Sequence, residues 1–315
     1  MKVSLLALLG LAARHGRIIL VAGLAAGIAL PDLALAMRPW LQEMVAGLLF
    51  FAALRIGPRQ AFGTLSAFPR TLALALAYQL VLPLAAFALF AALGMQASAL
   101  AMSLMLMLSA SSISGSPNLA VLTGHDPAPA LRLLVLGTAI LPLTAIPVFA
   151  LLPELGGAAE VSAASARLLA VIAAASAIAF GIRAWIIRDP APGTIAAIDG
   201  LSAIAMAIVV VGLMSAVGPA LRTDPAGFAL WLAVACAANL GAQVIAHGLL
   251  GRTGLAPERV PLAIIAGNRN IALFLVALPP AVTDPLLLFI GCYQIPMYLT
   301  PLLLGRFYAG TVTRK

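Results

Sequence analysis

The sequence predicts an all-α integral membrane protein, and three observations predict it. Of the 315 residues, 63% are apolar and 9% are charged. Mean hydropathy is +1.12, and apolar stretches of near-bilayer length recur along the whole chain. A soluble domain carries roughly 45–50% apolar and about 25% charged residues. Lipid must therefore solvate most of this surface. The formal net charge of +8 does not point to nucleic acid, because the basic residues sit at the ends of apolar stretches and do not cluster with aromatics.

Taken in order, the chain opens with the apolar run Val3–Ala13 behind Met1-Lys2. Arg14-His15-Gly16-Arg17 follows it directly, which argues against a cleaved signal, so residues 1–13 are expected to form a short helix at the bilayer interface. A bilayer core needs about 20 apolar residues per helix. Ten stretches qualify: Ile18–Met37, Trp40–Ile56, Thr71–Leu93, Ser98–Thr123, Ala130–Leu152, Ala166–Ile187, Thr194–Val217, Phe228–Leu250, Val260–Ala281 and Leu286–Phe307. Pro31 and Asp32 interrupt the first. Ten transmembrane helices in a single membrane domain, residues 1–315, are the expectation.

Lys and Arg set the orientation. With the N-terminus inside, one face receives Lys2, Arg14, Arg17, Arg55, Arg59, Arg70, Arg132, Arg183, Arg188, Arg252, Arg259, Arg306, Arg314 and Lys315. The other receives Arg38, Arg167 and Arg222, and Arg269 falls inside a segment. An error of one helix would destroy that bias. Both termini are therefore expected in the cytoplasm.

An internal repeat is also legible. The fifth segment contains Gly137, Pro142 and Pro147; the tenth contains Gly291, Pro296 and Pro301, at the same spacing. Before them, Gly115-Ser-Pro-Asn118 aligns with Gly267-Asn-Arg-Asn270, and the pairs Asp126-Pro127 and Asp284-Pro285 follow. The third and eighth segments carry Gln79-Leu80 and Asn239-Leu240. These matches predict a duplication, residues 17–153 against 165–308. Five helices per copy is an odd number, so the copies are inverted in the membrane. Inverted repeats with broken helices are the signature of alternating-access transporters.

The breaks are expected in the fourth and ninth segments. Ser109-Ala-Ser-Ser-Ile-Ser-Gly-Ser-Pro-Asn118 is a poor continuous helix, since Pro117 removes a donor and clashes with the preceding turn. Freed backbone groups at membrane depth must face protein or a polar cavity. Ser109, Ser111 and Ser112 can also be read as ordinary membrane serines bonded to their own backbone. Gly267-Asn268-Arg269-Asn270 is harder to read as packing, because intramembrane arginine is costly and usually functional. The candidate substrate or crossover residues are thus Gly115, Ser116, Pro117, Asn118, Gly267, Asn268, Arg269 and Asn270. Gln79, Asn239 and Gln294 are accessory candidates.

At these residues the chain resembles the bile acid:sodium symporter family, over essentially its whole length. The resemblance implies that the broken fourth and ninth helices cross near mid-membrane. It also implies a core from segments 3–5 (residues 71–152) and 8–10 (residues 228–307), a panel from the other four, and substrate between them. The family's ninth-segment motif is acidic, any, glycine, any, glutamine, asparagine. Gly267 and Asn270 match it, but Ile265 replaces the carboxylate and Arg269 the glutamine. In the fourth segment Gly115 and Asn118 can be matched, while Pro117 takes a serine's place. Gln79 precedes Pro83 by four residues where the family has five.

A sodium site needs oxygen ligands and usually a carboxylate. Two like unit charges 4 Å apart repel by roughly 4 kcal/mol at an effective dielectric of about 20. Arg269 is therefore expected to exclude Na⁺. It either stands in for a coupling ion and meets an anionic substrate, or bonds the carbonyl ends of the opposite half-helix. No cofactor or metal is expected.

Other functions fit less well. His15, His125 and His247 sit at or near segment ends without metal-site spacing, and Cys236 and Cys292 form no metal or disulfide framework. No Ser/His/Asp arrangement suggests an enzyme. A channel would need a continuous polar pore, and a receptor or scaffold a longer loop. An auxin-carrier-like efflux protein and a non-transporting membrane protein remain the alternatives. The expected partners are the bilayer and a small organic solute, anionic by inference from Arg269 and the resemblance, with no nucleic acid. Arginine-rich, alanine-rich composition suggests the inner membrane of a high-GC bacterium.

Overall fold

The computed structural model describes residues 5–63 and 67–310. Among them all regular structure is helical and no strand forms. Seven helices are long and apolar enough to cross a bilayer, or eight if one bent pair is a single span. That bent pair is α1 (Leu5–Arg14) with α2 (Gly16–Ala29), which meet at 78°. The helix expected before Arg14 is thus present from Leu5, while residues 1–4 lie outside the described residues.

The first expected segment ends earlier than Met37. Leu30 leaves the helix at φ −117°, ψ 66°, because a residue before proline is pushed out of the α region. Pro31 then starts α3 (Pro31–Met37), which continues through Arg38–Trp40 into α4 (Leu41–Gly63). Along α11 (Pro192–Leu213) and the turn that follows, Gly27 lies against Val211 and Met214, and Pro31 against Gly218. Met37 and Leu41 are back beside Gly212. The chain has turned at Leu30, so Pro31–Met37 belongs with the second segment.

The third segment is α5 (Phe68–Leu76), a π turn at Ala77–Val81 and α6 (Leu82–Ala92). The fourth is divided into α7 (Ala99–Ser109) and α8 (Ser116–Leu122). Then follow α9 (Ala128–Phe149), α10 (Ala158–Trp185), α11, α12 (Val217–Thr223) and α13 (Pro225–Leu250). The ninth segment is divided into α14 (Arg259–Gly267) and a 3₁₀ stretch, Ile271–Val276. After the short α15 (Pro280–Thr283), α16 (Leu287–Ala309) closes the fold. Four prolines sit inside α9 and α16 without breaking either.

Helices α2, α11, α4 and α10 stand side by side in that order. Small residues allow the close approach of α2 to α11. A Cβ on Gly23 would lie 2.7 Å from the Ala207 carbonyl, and one on Gly27 would lie 2.6 Å from the Met214 Cβ. This is the small-xxx-small packing of membrane helices. A second group packs together from α5–α9, α13, α14 and α16.

The buried apolar residues are not one mass. The largest cluster joins both groups, with Leu41, Val45, Leu168 and Val210 from the row of four packed with Met105, Phe149, Phe274 and Tyr293. Two smaller clusters lie wholly in the second group, around Leu262 and around Ala263 and Tyr308. Another, of Ala53, Leu54, Ala179 and Ile198, lies wholly in the row of four.

Among the described residues five ion pairs decorate the ends: Arg38–Asp284 (2.7 Å), Arg55–Asp199 (3.1 Å), Arg59–Asp189 (2.7 Å), Arg70–Glu258 (3.2 Å) and Arg132–Glu258 (3.4 Å). Each joins two residues that the loop charges assign to the same side.

Candidate functional site

The two broken segments meet. After α7, Ala110 turns extended at ψ 153°, and Pro117 lies in the first turn of α8. After α14, Asn268 takes φ −104°, ψ 84°. Backbone groups freed at such breaks need partners, because lipid supplies none. They find each other. Ile113 N–H donates to the Asn268 carbonyl at 3.2 Å, and Asn270 N–H to the Ser111 carbonyl at 2.8 Å. The result is an antiparallel bridge between Ser112 and Arg269. Gly267 permits the close approach on the other side: a Cβ there would lie 2.0 Å from the Asn239 carbonyl oxygen.

Arg269 fills the crossing and is 1% exposed. Its Nη1 donates to the Ala110 carbonyl at 3.0 Å and its Nε to the Ala266 carbonyl at 3.3 Å, while Nη2 lies 3.5 Å from the Tyr78 carbonyl. Its Cζ sits 4.7 Å from the centre of the Tyr78 ring. Ala110 and Ala266 stand at the C-terminal ends of α7 and α14, where helices leave unpaired carbonyls and negative partial charge. Two helix ends and a ring face thus surround the cation. None of the ion pairs among the described residues involves Arg269; Asp199 is engaged by Arg55 and Glu43 is exposed.

Around this centre the polar side chains form two groups. On one side the Gly267 carbonyl accepts from Asn239 Nδ2 and from the Tyr293 hydroxyl, whose oxygen also accepts the Arg269 N–H at 3.1 Å. Asn268 Oδ1 accepts from Thr300 at 3.2 Å and from Asn239 at 3.3 Å. Gln243 donates to Asn239 at 2.8 Å and to Thr300 at 3.1 Å, and its oxygen accepts from Tyr308 at 3.0 Å. On the other side Thr144 donates to Gln79 Oε1 at 2.9 Å, and Thr138 to Ser111 Oγ at 3.3 Å. The π turn explains how Gln79 and Tyr78 are presented. Pro83 lacks the N–H that would close a bond to the Gln79 carbonyl, and the backbone widens to a five-residue turn, with Leu82 N–H bonding the Ala77 carbonyl. Gly137 gives Gln79 room, since a Cβ there would lie 2.6 Å from its Nε2.

Of the sequence candidates, Gly267, Asn268, Arg269 and Asn239 converge at the crossing, and Asn270 contributes its backbone. Ser116 is buried and accepts a bond from Ser112 at 2.8 Å. Gly115 and Pro117 are half-buried and Asn118 is exposed on α8. Gln294 turns back to the Ile290 carbonyl of its own helix. Ser109 also bonds its own helix, at the Leu106 carbonyl.

Gly115 and Gly267, paired in the sequence, are not equivalent in position. Gly267 ends the helix before its break, whereas Gly115 caps the helix after its break. In the register of the Ser112–Arg269 bridge it is Ala110, two residues before Ser112, that stands where Gly267 stands before Arg269. The sequence reading missed Tyr78, Tyr293, Gln243 and Thr300. Gln243 carried a signal, standing four residues after Asn239 on the same helix face. The two tyrosines each adjoin a candidate amide, but nothing in the sequence favours ring over amide.

No protein-family model matches this chain, and no curated protein matches it. The resemblance to bile acid:sodium symporters therefore rests on the residues quoted from the sequence. The multi-helix apolar bundle defines a multi-pass membrane protein and is compatible with a transporter.

Proposed function

We propose that the protein is an alternating-access secondary transporter of a small organic anion. The observation that carries this is the crossing itself: two broken helices paired through Ser112 and Arg269, with an arginine held there by main-chain carbonyls and the Tyr78 ring. Broken helices facing each other are how transporters expose main-chain dipoles to a solute.

On this reading the chain makes ten passages, eight as apolar spans and two as the broken segments. Both termini are cytoplasmic, in the inner membrane of a bacterium. The same-side ion pairs favour this count, since a miscounted helix would put their partners on opposite faces. Inverted duplication is favoured by matched packing. The contact of α2 with α11 has its counterpart in α10 with α4. The row of four is the panel and the second group the core.

Coupling to sodium is not part of the proposal. The carbonyls at both helix ends already serve the guanidinium, and Ile265 is buried among Tyr78, Ala75 and Leu262. The test is uptake of labelled steroid, aryl and aliphatic carboxylates into proteoliposomes. We expect uptake of at least one that is unchanged when Na⁺ is replaced by choline. Uptake that collapses in choline overturns the sodium-independent reading; no uptake of any overturns the anion-transport reading.

A further inference from the structure

We infer that the described conformation is open toward the arginine-rich face and closed on the opposite face by an ion-pair latch, Arg38–Asp284. The inference rests on the transport reading above. Two independent observations carry it.

The first is how the apolar core divides. The cluster that joins panel to core contains the starts of α4 and α10, the ends of α9 and α11, α7, residues 271–278 and the start of α16. All belong to the half of the bundle away from the arginine-rich face. In the other half the buried apolar residues split. Ala53, Leu54, Ala179 and Ile198 pack within the panel, while the Leu262 and Tyr308 clusters pack within the core. The half-helix α8 packs on α9, α14 and α16, all core, and leaves Asn118 and Val121 exposed. Its counterpart, Ile271–Val276, is buried against α4 and α10. Among the described residues, one half is sealed across the panel–core boundary and the other is not.

The second observation is how the ion pairs divide. On the arginine-rich face Arg55–Asp199 and Arg59–Asp189 join panel to panel, and Glu258 joins Arg70 and Arg132, core to core. Arg38–Asp284, at 2.7 Å on the opposite face, joins panel to core. It spans the boundary that must part for the solute path to open outward. The other four pairs can persist through such a movement; this one cannot. With side chains 37% and 46% exposed, it is wet enough to break and re-form.

The test uses the full chain in native vesicles, with Cys236 and Cys292 replaced by alanine and one reporter cysteine added. A membrane-impermeant maleimide is applied from either side. Asn118→Cys should react from the cytoplasmic side and Val45→Cys, in the seal, from neither. Arg38→Gln or Asp284→Asn should raise outside labelling of Val45→Cys and lower labelling of Asn118→Cys by up to about fivefold, the population shift a partly exposed ion pair can supply. The charge swap, Arg38→Asp with Asp284→Arg, should restore the parent pattern and guards against misfolding.

If Asn118→Cys reacts from the cytoplasm but neither reporter responds to the single variants, the latch is overturned while uptake in proteoliposomes keeps the transport reading. If Asn118→Cys reacts only from outside or from neither side, the inward opening is overturned. A latch that behaves as expected without uptake of any carboxylate removes the transport reading alone.

Discussion

Replacing Arg269 by methionine tests the crossing most directly. The side chain fits the volume but removes the guanidinium from three backbone carbonyls, at 3.0, 3.3 and 3.5 Å. The third lies at the limit of a hydrogen bond. Polar contacts between membrane helices average about 0.6 kcal/mol and reach about 1.7, and a buried carbonyl left without a partner costs about 1–3 kcal/mol. Two orphaned carbonyls and a lost ring contact therefore suggest roughly 2–5 kcal/mol. Buried ion pairs can often be exchanged for apolar residues without loss. That escape is closed here, because the partners of Arg269 are main-chain atoms that no second substitution removes.

At about 2–4 °C per kcal/mol for chains approaching this size, thermal unfolding in detergent should shift down by about 4–20 °C. Arg269→Lys, which keeps the charge and loses the fork, should fall between. In Arg269→Ala, added guanidinium ion should recover part of the loss, about 1.4 kcal/mol at ten times its dissociation constant. A methionine variant that melts with the parent refutes the argument.

Three further outcomes follow from the same geometry. Tyr293→Phe strips the Gly267 carbonyl and the Arg269 N–H of a shared partner and should cost about 1–3 kcal/mol in the same melt, whereas Arg59→Ala, in an exposed pair, should change it by less than about 1 kcal/mol. Gly27→Val drives a branched side chain into Met214 and Val211; it should lower the yield of folded protein in size-exclusion profiles, and Gly10→Val, with nothing near it, should not. Burial holds the His125 imidazole below its ordinary value of 6.5, with Arg259 adding to the effect and a backbone hydrogen bond at Thr123 opposing it. The unfolded chain then binds the proton more readily, so its contribution is intact above about pH 6.5 and is lost as pH falls through the folded value. Melts of His125→Gln should lose less stability than the parent between neutral and acidic pH.

The sequence carried the architecture unevenly. Loop arginines assigned Arg55, Arg59, Arg70 and Arg132 to one face, and their carboxylate partners are found beside them, because charge at a bilayer edge is a one-dimensional signal. Proline placed the breaks well at Pro31 and Pro117, where it starts a helix. Pro142, Pro147, Pro296 and Pro301 lie inside α9 and α16, which stay continuous as the expected fifth and tenth segments require. The crossing was legible as polarity in Gly267–Asn270 but not as geometry. The bridge pairs main-chain atoms, which have no letter in the sequence. The same blindness put Gly115 opposite Gly267, when the residue that takes its place in the register of the bridge is the plain alanine at position 110.

The bridge also fixes an order of events during synthesis. Ala110 and Arg269 are 159 residues apart, and chains grow at about 5–20 residues per second. For about 10–30 s after α7 emerges, the carbonyls of Ala110 and Ser111 have no Arg269 or Asn270 to meet them. Nor can the bilayer interior offer them water. The first half of the protein must wait in a shallow or hydrated position, or beside the insertion machinery, until the ninth segment arrives. The fold can therefore be completed only late, and truncation before Asn270 should leave an insertion intermediate instead of a folded half.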